Sequence, residues 1–94
     1  MTTKQRAFLR KESNSLEAIY QIGKNGIEKN LLVGIDEALE AHELIKITVH
    51  ETSEKTAREV ADILSSSLKA DTVQVIGRKI ILYRLNKKLN RYGV

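Results

Sequence analysis

The sequence predicts an α/β protein with the element order α-β-α-β-α-β-β. Three patterns support this fold class. Two stretches carry apolar residues at the three- and four-residue steps of an amphipathic helix, one stretch alternates between apolar and polar residues, and a short glycine turn joins two apolar runs near the C-terminus. The length of 94 residues fits a single domain, residues 1–94, with one core.

The first helix and the first strand precede a glycine-containing loop. Thr2 and Gln5 have the spacing of a capping box, which predicts a helix over residues 3–13. The polar run at residues 13–15 ends this helix, because its short side chains compete for backbone hydrogen bonds. Residues 18–22 then form a short first strand.

Apolar periodicity predicts a second helix over residues 28–42. Its apolar face is formed by Leu31, Leu32, Ile35, Ala38 and Leu39. Gly34 lies inside this helix and is unfavourable there by up to ~1 kcal/mol relative to Ala, which close packing on another element would explain. Residues 45–50 alternate and are rich in β-branched side chains, as expected of a second strand.

A third helix and a hairpin complete the predicted fold. Thr52 and Ser53 are expected to cap the helix, whose apolar face is formed by Ala57, Val60, Ala61, Leu64 and Leu68. Strands are predicted over residues 72–76 and 79–85. Between them lies Gly77-Arg78, a two-residue loop that suits a type II′ hairpin turn.

The connections between strands predict the sheet topology. Two helical crossovers make the first three strands parallel, and the hairpin makes the fourth antiparallel to the third. The nearly continuous apolar run at residues 80–83 is typical of a central strand. We therefore predict a two-layer structure whose four-stranded mixed sheet has the order 1-2-4-3, with strand 4 antiparallel.

Composition excludes several classes of protein. The chain has no cysteine, which excludes disulfides, thiol catalysis and cysteine metal sites and fits a reducing compartment. No apolar run approaches the ~18 residues that a membrane helix needs, and no apolar signal core follows the N-terminus. We expect a monomeric, cytoplasmic protein that does not contact membranes.

The charge of the chain is unevenly distributed. The net charge is +4, but residues 1–26 carry +3, residues 27–76 carry −5 and residues 77–94 carry +6. Clustered basic residues are the electrostatic signature of a protein that binds polyanions. Residues 87–94 lack apolar periodicity, so we expect them to form a flexible basic tail.

The most informative motif is the loop Gly23-Lys24-Asn25-Gly26, between the first strand and the second helix. Glycine adopts backbone angles closed to other residues and lets a ligand approach the backbone. The N-terminus of the next helix collects free N–H groups and partial positive charge. This loop is predicted to bind phosphates of a nucleic acid. The basic residues predicted to assist it are Lys4, Arg6, Arg10, Lys11, Arg78, Lys79 and Arg84.

No other group of residues indicates catalysis or cofactor binding. His42 and His50 are the only histidines and have no partners that complete a metal site, so His42 is interpreted as a favourable residue at a helix C-terminus. The serines at residues 65–67 lack the surroundings of a nucleophile. We expect no enzyme activity, no metal and no cofactor. The tyrosines are interpreted mainly as core or sheet-face residues, with stacking on bases as an alternative.

Four stretches combine around the glycine loop in a recognisable way. They are Thr3-Lys4-Gln5-Arg6, Gln21-Ile22-Gly23-Lys24-Asn25-Gly26-Ile27, Glu37-Ala38-Leu39-Glu40-Ala41-His42-Glu43-Leu44-Ile45-Lys46, and Val73-Gln74-Val75-Ile76-Gly77-Arg78-Lys79-Ile80-Ile81-Leu82-Tyr83-Arg84. Together they resemble the CRM family (chloroplast RNA splicing and ribosome maturation), also called the YhbY-like family. The resemblance covers nearly the whole chain.

The resemblance implies an RNA-binding module with a fold similar to the C-terminal domain of bacterial translation initiation factor three. It implies a protein that binds ribosomal RNA in precursors of the large ribosomal subunit and assists assembly, with the family's glycine loop at residues 23–26. Two alternatives stay open. One is a protein-interaction module that docks on a ribosomal protein through its acidic second helix, without direct RNA contact. The other is a small enzyme, for which a catalytic constellation is missing.

Overall fold

The computed structural model describes all 94 residues and contains three helices and four strands. In chain order the elements are α1 (Thr3–Ser13), β1 (Ala18–Ile22), α2 (Lys29–His42), β2 (Leu44–Val49), α3 (Ala57–Leu68), β3 (Asp71–Ile76) and β4 (Lys79–Tyr83). The predicted α/β class and the predicted element order are confirmed.

The four strands form one mixed sheet in the predicted order, β1-β2-β4-β3. β1 and β2 are parallel, and β4 is antiparallel to both of its neighbours. Ile22 pairs with Val49, and Thr48 pairs with Lys79, so the C-terminal ends of β1 and β2 lie beside the start of β4. We call this the loop end of the sheet, because the loops after β1 and β2 and the β3–β4 hairpin all meet there.

The hairpin turn has the predicted conformation. Gly77 has a φ of +56°, whereas Arg78 has a negative φ. A type I′ turn requires positive φ at both central residues, and a type II′ turn requires it only at the first. The observed signs of φ are therefore those of a type II′ turn.

Both edge strands contain a bulge. The pairing of β1 shifts between Ala18 and Tyr20, and that of β3 shifts between Thr72 and Gln74. Residues two apart in a regular strand point to the same face. Because of the bulge in β3, Val73 and Val75 instead pack on opposite faces of the sheet, each in a different core.

Two hydrophobic cores lie on the two faces of the sheet. The larger contains thirteen buried residues and lies between the sheet and helices α2 and α3, as the predicted two-layer arrangement requires. The smaller lies on the other face, where Leu9 of α1 packs on Leu44, Val73, Ile81 and Tyr83. α1 is thus an addition on the second face, where it contacts β2 and β3.

The start of α3 differs from the prediction, whereas the capping box predicted at α1 is present. Thr52 and Ser53 do not cap α3; the N-cap is Thr56, which forms a capping box with Glu59. This box satisfies two backbone N–H groups at once, and the hydrogen bonds from Thr56 lower the pKa of the Glu59 carboxyl. The hydroxyl of Thr52 is instead bonded to the ring of His50, with Oγ1 2.9 Å from Nδ1.

Gly34 in α2 packs against β1, which explains a glycine inside a helix. A Cβ placed on Gly34 would lie 2.5 Å from Oη and 3.0 Å from Cζ of Tyr20. The Tyr20 ring packs on the larger core and is half-buried. The missing side chain therefore lets α2 approach the sheet across this ring.

We expect Gly34→Ala to destabilise the fold despite the better helix propensity of alanine. Propensity favours alanine by up to ~1 kcal/mol, but overpacking costs about 1–3 kcal/mol. Thermal denaturation should show a lower melting temperature for Gly34→Ala than for the wild type. Adding Tyr20→Phe removes the nearest atom and should restore part of the stability. A Gly34→Ala variant as stable as the wild type would show that the ring moves aside freely.

The segment after β4 is attached to the domain by a buried carboxylate. Glu43, at the junction of α2 and β2, is fully buried, and its two oxygens accept hydrogen bonds from the N–H groups of Asn86 at 3.0 Å and Arg91 at 2.7 Å. Glu43 forms no ion pair. A buried carboxylate needs such donors, so Arg91 is attached to the domain within residues 87–94, for which the sequence predicts a flexible tail.

Two tyrosines close the smaller core beside this segment. The rings of Tyr83 and Tyr92 meet edge to face, with centroids 6.4 Å apart, and Val94 packs next to them. Burial raises the pKa of both phenols. A nearby carboxylate raises each pKa further, that of Glu43 for Tyr83 and that of Glu12 for Tyr92. The Tyr83 hydroxyl is buried without a hydrogen-bond partner. Tyr83 is thus a core residue, as interpreted from the sequence, and its ring is not accessible to a base.

Candidate nucleic-acid interface

The glycine loop, residues 23–26, connects β1 to α2 at the loop end of the sheet. Gly26 has a φ of +68°, and its N–H donates to the carbonyl of Gly23 at 3.0 Å, which closes a tight turn. No atom lies within 4 Å of the position that a Cβ of Gly26 would occupy, whereas a Cβ on Gly23 would lie 3.3 Å from Thr52 Oγ1. Gly26 therefore provides a backbone conformation and an open surface, and Gly23 allows close packing of the next loop.

α2 begins beside this loop without a side-chain cap. Its N-cap residue, Glu28, makes no capping hydrogen bond, in contrast to the capping boxes of α1 and α3. The first-turn amides of α2 therefore have no side-chain acceptor, and the helix dipole adds partial positive charge to them. Lys24 in the loop and Lys29 at the first helical position are both exposed and add full charges. Such an arrangement favours an anion.

The loop between β2 and α3 lies against the glycine loop. The N–H of His50 donates to the carbonyl of Ile22 at 2.7 Å, which extends the contact between β1 and β2 beyond the strands. A pocket of about 110 Å³ lies between the two loops. It is lined by Ile22, Lys24, Asn25, Gly26, Ile27, Ser53, Glu54, Lys55 and Val60.

Lys55 thus joins Lys24 at the same pocket, although it was not among the predicted site residues. The signal that would have found it is topological. The loops that follow the C-terminal ends of neighbouring parallel strands meet at one edge of the sheet. Parallel pairing of the first two strands was predicted, and it places the loop containing Lys55 beside the glycine loop.

The hairpin extends this group of residues. A second depression of about 200 Å³ reaches from residues 53–55 to Arg78. Arg78 Nη1 lies 3.5 Å from Glu51 Oε2, and because both side chains are exposed the pair is worth only about 0–1 kcal/mol. Lys79 Nζ donates to Thr48 Oγ1 at 2.8 Å and has no acidic partner. The predicted residues that meet at the loop end are Gly23, Lys24, Asn25, Gly26, Arg78 and Lys79.

Arg84 lies at the opposite end of the sheet, because β4 runs away from the hairpin. Its guanidinium pairs with Asp36 at 2.6 Å and with Glu40 at 3.4 Å, and it also donates to the carbonyl of Leu68 at 3.0 Å. Only 19% of the Arg84 side chain is exposed. These contacts fasten the end of β4 to α2 and α3, and the structure does not bring Arg84 to the glycine loop.

The basic residues of α1 form a third group. Arg6 is half-buried and donates to the backbone carbonyls of Thr72 and Val73, the latter at 3.2 Å. Arg6 therefore fastens α1 to the edge strand β3. The other three predicted residues of this helix are exposed: Lys4, Arg10 and Lys11.

The sheet separates helices of opposite charge. α1, on one face, carries four basic and one acidic side chain, a net charge of +3. On the other face, α2 carries −2 and α3 carries −1 with histidine neutral. We call these faces the basic side and the acidic side. A polyanion that reaches the basic side avoids the carboxylates of α2 and α3.

The structure contains neither a metal-binding cluster nor a membrane-spanning helix. No group of three or more His, Cys, Asp or Glu side chains has the placement of a metal site. None of the three helices combines the length and the apolar character needed to cross a bilayer. His42 lies in the last turn of α2, which agrees with its interpretation as a residue favoured at a helix C-terminus.

Comparison with known families identifies the domain. A model of the CRS1 / YhbY (CRM) domain matches residues 1–84. The chain belongs to this family. The matched region of this CRM domain contains all seven elements and the glycine loop, and it ends before the segment that Glu43 holds.

Related proteins cover almost the same length. The "Probable RNA-binding protein YqeI" of Bacillus subtilis (strain 168) is 41% identical over 88 residues, which are 94% of this chain and 92% of the relative. The "RNA-binding protein" of Haemophilus influenzae is 34% identical over 84 residues, 89% of this chain and 85% of the relative. The solution structure of the hypothetical protein SAV1595 from Staphylococcus aureus has a TM-score of 0.75 at 38% identity and covers 93% of this chain and 91% of that one.

Proposed function

We propose that this CRM-domain protein is a non-enzymatic RNA-binding protein. It binds ribosomal RNA in precursors of the large ribosomal subunit and assists their assembly. The names of the two relatives support RNA as the ligand. The ribosomal target follows from the resemblance of the motif stretches to the family.

The observation that carries the proposal is the arrangement at the loop end. The only helix without a side-chain cap starts there, directly after the open backbone of Gly26. Lys24 and Lys55 line the same pocket, and Arg78 lies in the adjoining depression. Backbone amides and exposed cations at one place are what the successive phosphates of a nucleic acid require.

Each part of this interface has a separate task. The amides of the loop and of the first turn of α2 bind a phosphate and fix its position. The lysines neutralise neighbouring phosphates and release their counterions, which supplies affinity that does not depend on sequence. Selectivity comes from RNA shape and 2′-hydroxyl contacts, because an A-form helix hides its major-groove base edges in a deep, narrow groove.

Salt dependence tests the electrostatic part. Binding to a fragment of large-subunit ribosomal RNA should weaken steeply between ~50 and ~200 mM salt. Lys24→Gln and Lys55→Gln should each reduce the slope of log affinity against log salt by about one. Lys69→Gln, which removes an exposed charge at the end of α3, should leave the slope unchanged. If the three variants have the same slope of log affinity against log salt, the loop end is not part of the RNA interface.

The ribosomal target needs a separate experiment. Crosslinking in cells, followed by sequencing of the attached RNA, should recover large-subunit ribosomal RNA. The protein should also sediment with precursors of the large subunit, and the Lys24→Gln/Lys55→Gln double variant should lose this association. Recovery of unrelated RNA alone would contradict the assembly role while leaving RNA binding intact.

The acidic side favours one second candidate function, docking on a basic ribosomal protein through α2. Asp36 and Glu40 already bind Arg84, so Glu37 is the exposed carboxylate of α2 outside these ion pairs. Charge reversal by Glu37→Lys tests this function without releasing Arg84. If RNA binding is the main activity, affinity for purified RNA should survive this change; loss of particle association with RNA affinity intact would favour the protein partner.

A further inference from the structure

Part of the second sheet face is not covered by α1. On this face α1 and the C-terminal segment cover the part near Leu44 and Tyr83. Toward the loop end the strands present side chains that are exposed or half-exposed. We call these the open sheet surface, which consists of Ile19, Gln21, Lys46, Thr48, Ile76 and Lys79.

The open sheet surface combines apolar, amide and cationic groups. Ile19 is 46% exposed and Ile76 is 59% exposed, which leaves an apolar side chain on each edge strand in water. Lys46 and Lys79 lie on the two central strands, and neither has an acidic partner. Gln21 pairs with Thr48 across β1 and β2, so their polar groups stand between the lysines and the β1 edge.

Two depressions connect this surface to the C-terminal segment. One, of about 370 Å³, lies over β1 and is lined by Ile19, Gln21 and Thr48 among others. The second, of about 330 Å³, shares Ile19 with it and reaches Lys46, Arg91 and Tyr92. One carboxylate, Glu17, lines the second depression, beside the two basic side chains Lys46 and Arg91. A continuous path therefore runs along β1 and β2 from the loop end to Tyr92.

We propose that the open sheet surface binds a single-stranded segment of the RNA whose phosphates occupy the glycine loop. This inference rests on the proposed function and extends it to a second contact. Lys46 and Lys79 bind phosphates. Bases pack on Ile19 and on the accessible edge of Tyr92, and Gln21 and Thr48 form hydrogen bonds with exposed base edges.

Charge and shape favour single-stranded RNA over the other possible occupants. The surface lies on the basic side, so an acidic polymer is attracted and a basic protein segment is repelled. An A-form duplex presents phosphates and 2′-hydroxyls and hides its base faces, and it would leave Ile19 without a partner. A single strand has accessible base faces for Ile19 and accessible base edges for Gln21.

Paired variants separate this surface from the glycine loop. The probes are an unstructured single-stranded RNA of about 12 nucleotides and a blunt RNA duplex of about 16 base pairs. Gln21→Ala/Lys46→Gln, which changes no residue of the loop end, should weaken binding of the single strand roughly tenfold and lower its salt slope by about one. The affinity of this variant for the duplex should not change. Lys24→Gln/Lys55→Gln should weaken the binding of both RNA probes. Thermal denaturation is the control that each variant is folded.

The absence of cysteine allows a direct test of contact. Gln21→Cys and Ser66→Cys introduce single thiols, on the open sheet surface and on the exposed face of α3 respectively. With a thiol-attached photocrosslinker, the single-stranded probe should be captured from position 21 and not from position 66. When a mixture of ribosomal proteins is added with the RNA, position 21 should still capture RNA.

Each other outcome overturns a defined part of the proposal. If the wild-type protein binds neither probe, both the proposed function and the open sheet surface are wrong. If the loop variants lose affinity while Gln21→Ala/Lys46→Gln binds the single strand like the wild type, only the second contact is wrong. Equal loss of single-strand and duplex affinity would rule out strand selectivity, and capture of protein in place of RNA would identify a protein-binding surface.

Discussion

Glu43→Gln should lower the melting temperature of the protein by roughly 10 °C. Both carboxylate oxygens of Glu43 accept a backbone N–H from the C-terminal segment, and the side chain is fully buried. A glutamine has one oxygen, so one of these N–H groups would face an NH₂ group and lose its acceptor. An unsatisfied buried donor costs about 1–3 kcal/mol, and ~1 kcal/mol corresponds to about 4–8 °C in a domain of this size.

The chain offers a matched control for this substitution. Glu40→Gln makes the same chemical change one helical turn earlier, where the carboxylate is exposed and lies 3.4 Å from Arg84. Its effect should stay below about 1 kcal/mol, as for other surface pairs. If Glu43→Gln were as mild as Glu40→Gln, the C-terminal segment would be detached in solution and residues 87–94 would be the flexible tail that the sequence suggests.

A truncation completes this test. Deleting residues 91–94 removes the Arg91 donor and the aromatic contact of Tyr92 with Tyr83. The deletion alone should destabilise the fold. When the deletion is combined with Glu43→Gln, the loss of unfolding free energy should be smaller than the sum of the two separate losses, because both changes break the same contact. Additive losses would show that the carboxylate stabilises the α2–β2 junction independently of the segment.

Gly26→Asp should reduce RNA affinity by roughly ten- to a hundredfold more than Gly26→Asn, a difference of about 1.4–2.8 kcal/mol. Both side chains are similar in size, and both tolerate positive φ better than other residues do. The strain imposed by the φ of +68° therefore cancels in the comparison. The remaining difference is one negative charge at the position proposed for a phosphate, where two like charges at close range repel by several kcal/mol at most.

Salt and a second glycine provide the controls. The difference in RNA affinity between the two Gly26 variants should decrease as the salt concentration rises, because salt screens the repulsion. Gly93 also has a positive φ, of +66°, and open space around its Cβ position, but it lies in the C-terminal segment. Gly93→Asp and Gly93→Asn should differ far less in RNA affinity than the two Gly26 variants do. Equal RNA affinity of the two Gly26 variants, with native far-ultraviolet circular dichroism, would place the RNA elsewhere.

Local patterns in the sequence predict the fold well because they correspond to local physics. The capping box at Thr2 and Gln5 and the turn at Gly77 depend only on neighbouring residues. The central position of β4 follows from the uninterrupted apolar run that burial on both faces permits, and Ile81 and Leu82 do pack in different cores. The start of α3 was misplaced because two threonines compete as caps, and only Thr56 has a glutamate three residues later.

Contacts between distant residues could not be predicted in the same way. Arg84 was assigned to the candidate site by its charge, but the strand register carries it to Asp36 and Glu40. Glu43 belongs to a long acidic stretch in sequence, and nothing local distinguishes it from its exposed neighbours. Lys55 reaches the pocket of Lys24 only because β1 and β2 are parallel and adjacent. Charge type can be read locally, whereas the partner of a charge depends on tertiary structure.

The bulges in both edge strands have a consequence for the protein at high local concentration. An open sheet ends in rows of unpaired N–H and C=O groups, which can accept a strand from another molecule. In β1 and β3 the regular spacing of these groups is interrupted once each, between Ala18 and Tyr20 and between Thr72 and Gln74. A foreign strand would lose register at that point and could pair over only a few residues. The four-stranded sheet is thereby protected against edge-to-edge aggregation when many copies gather on one long polymer.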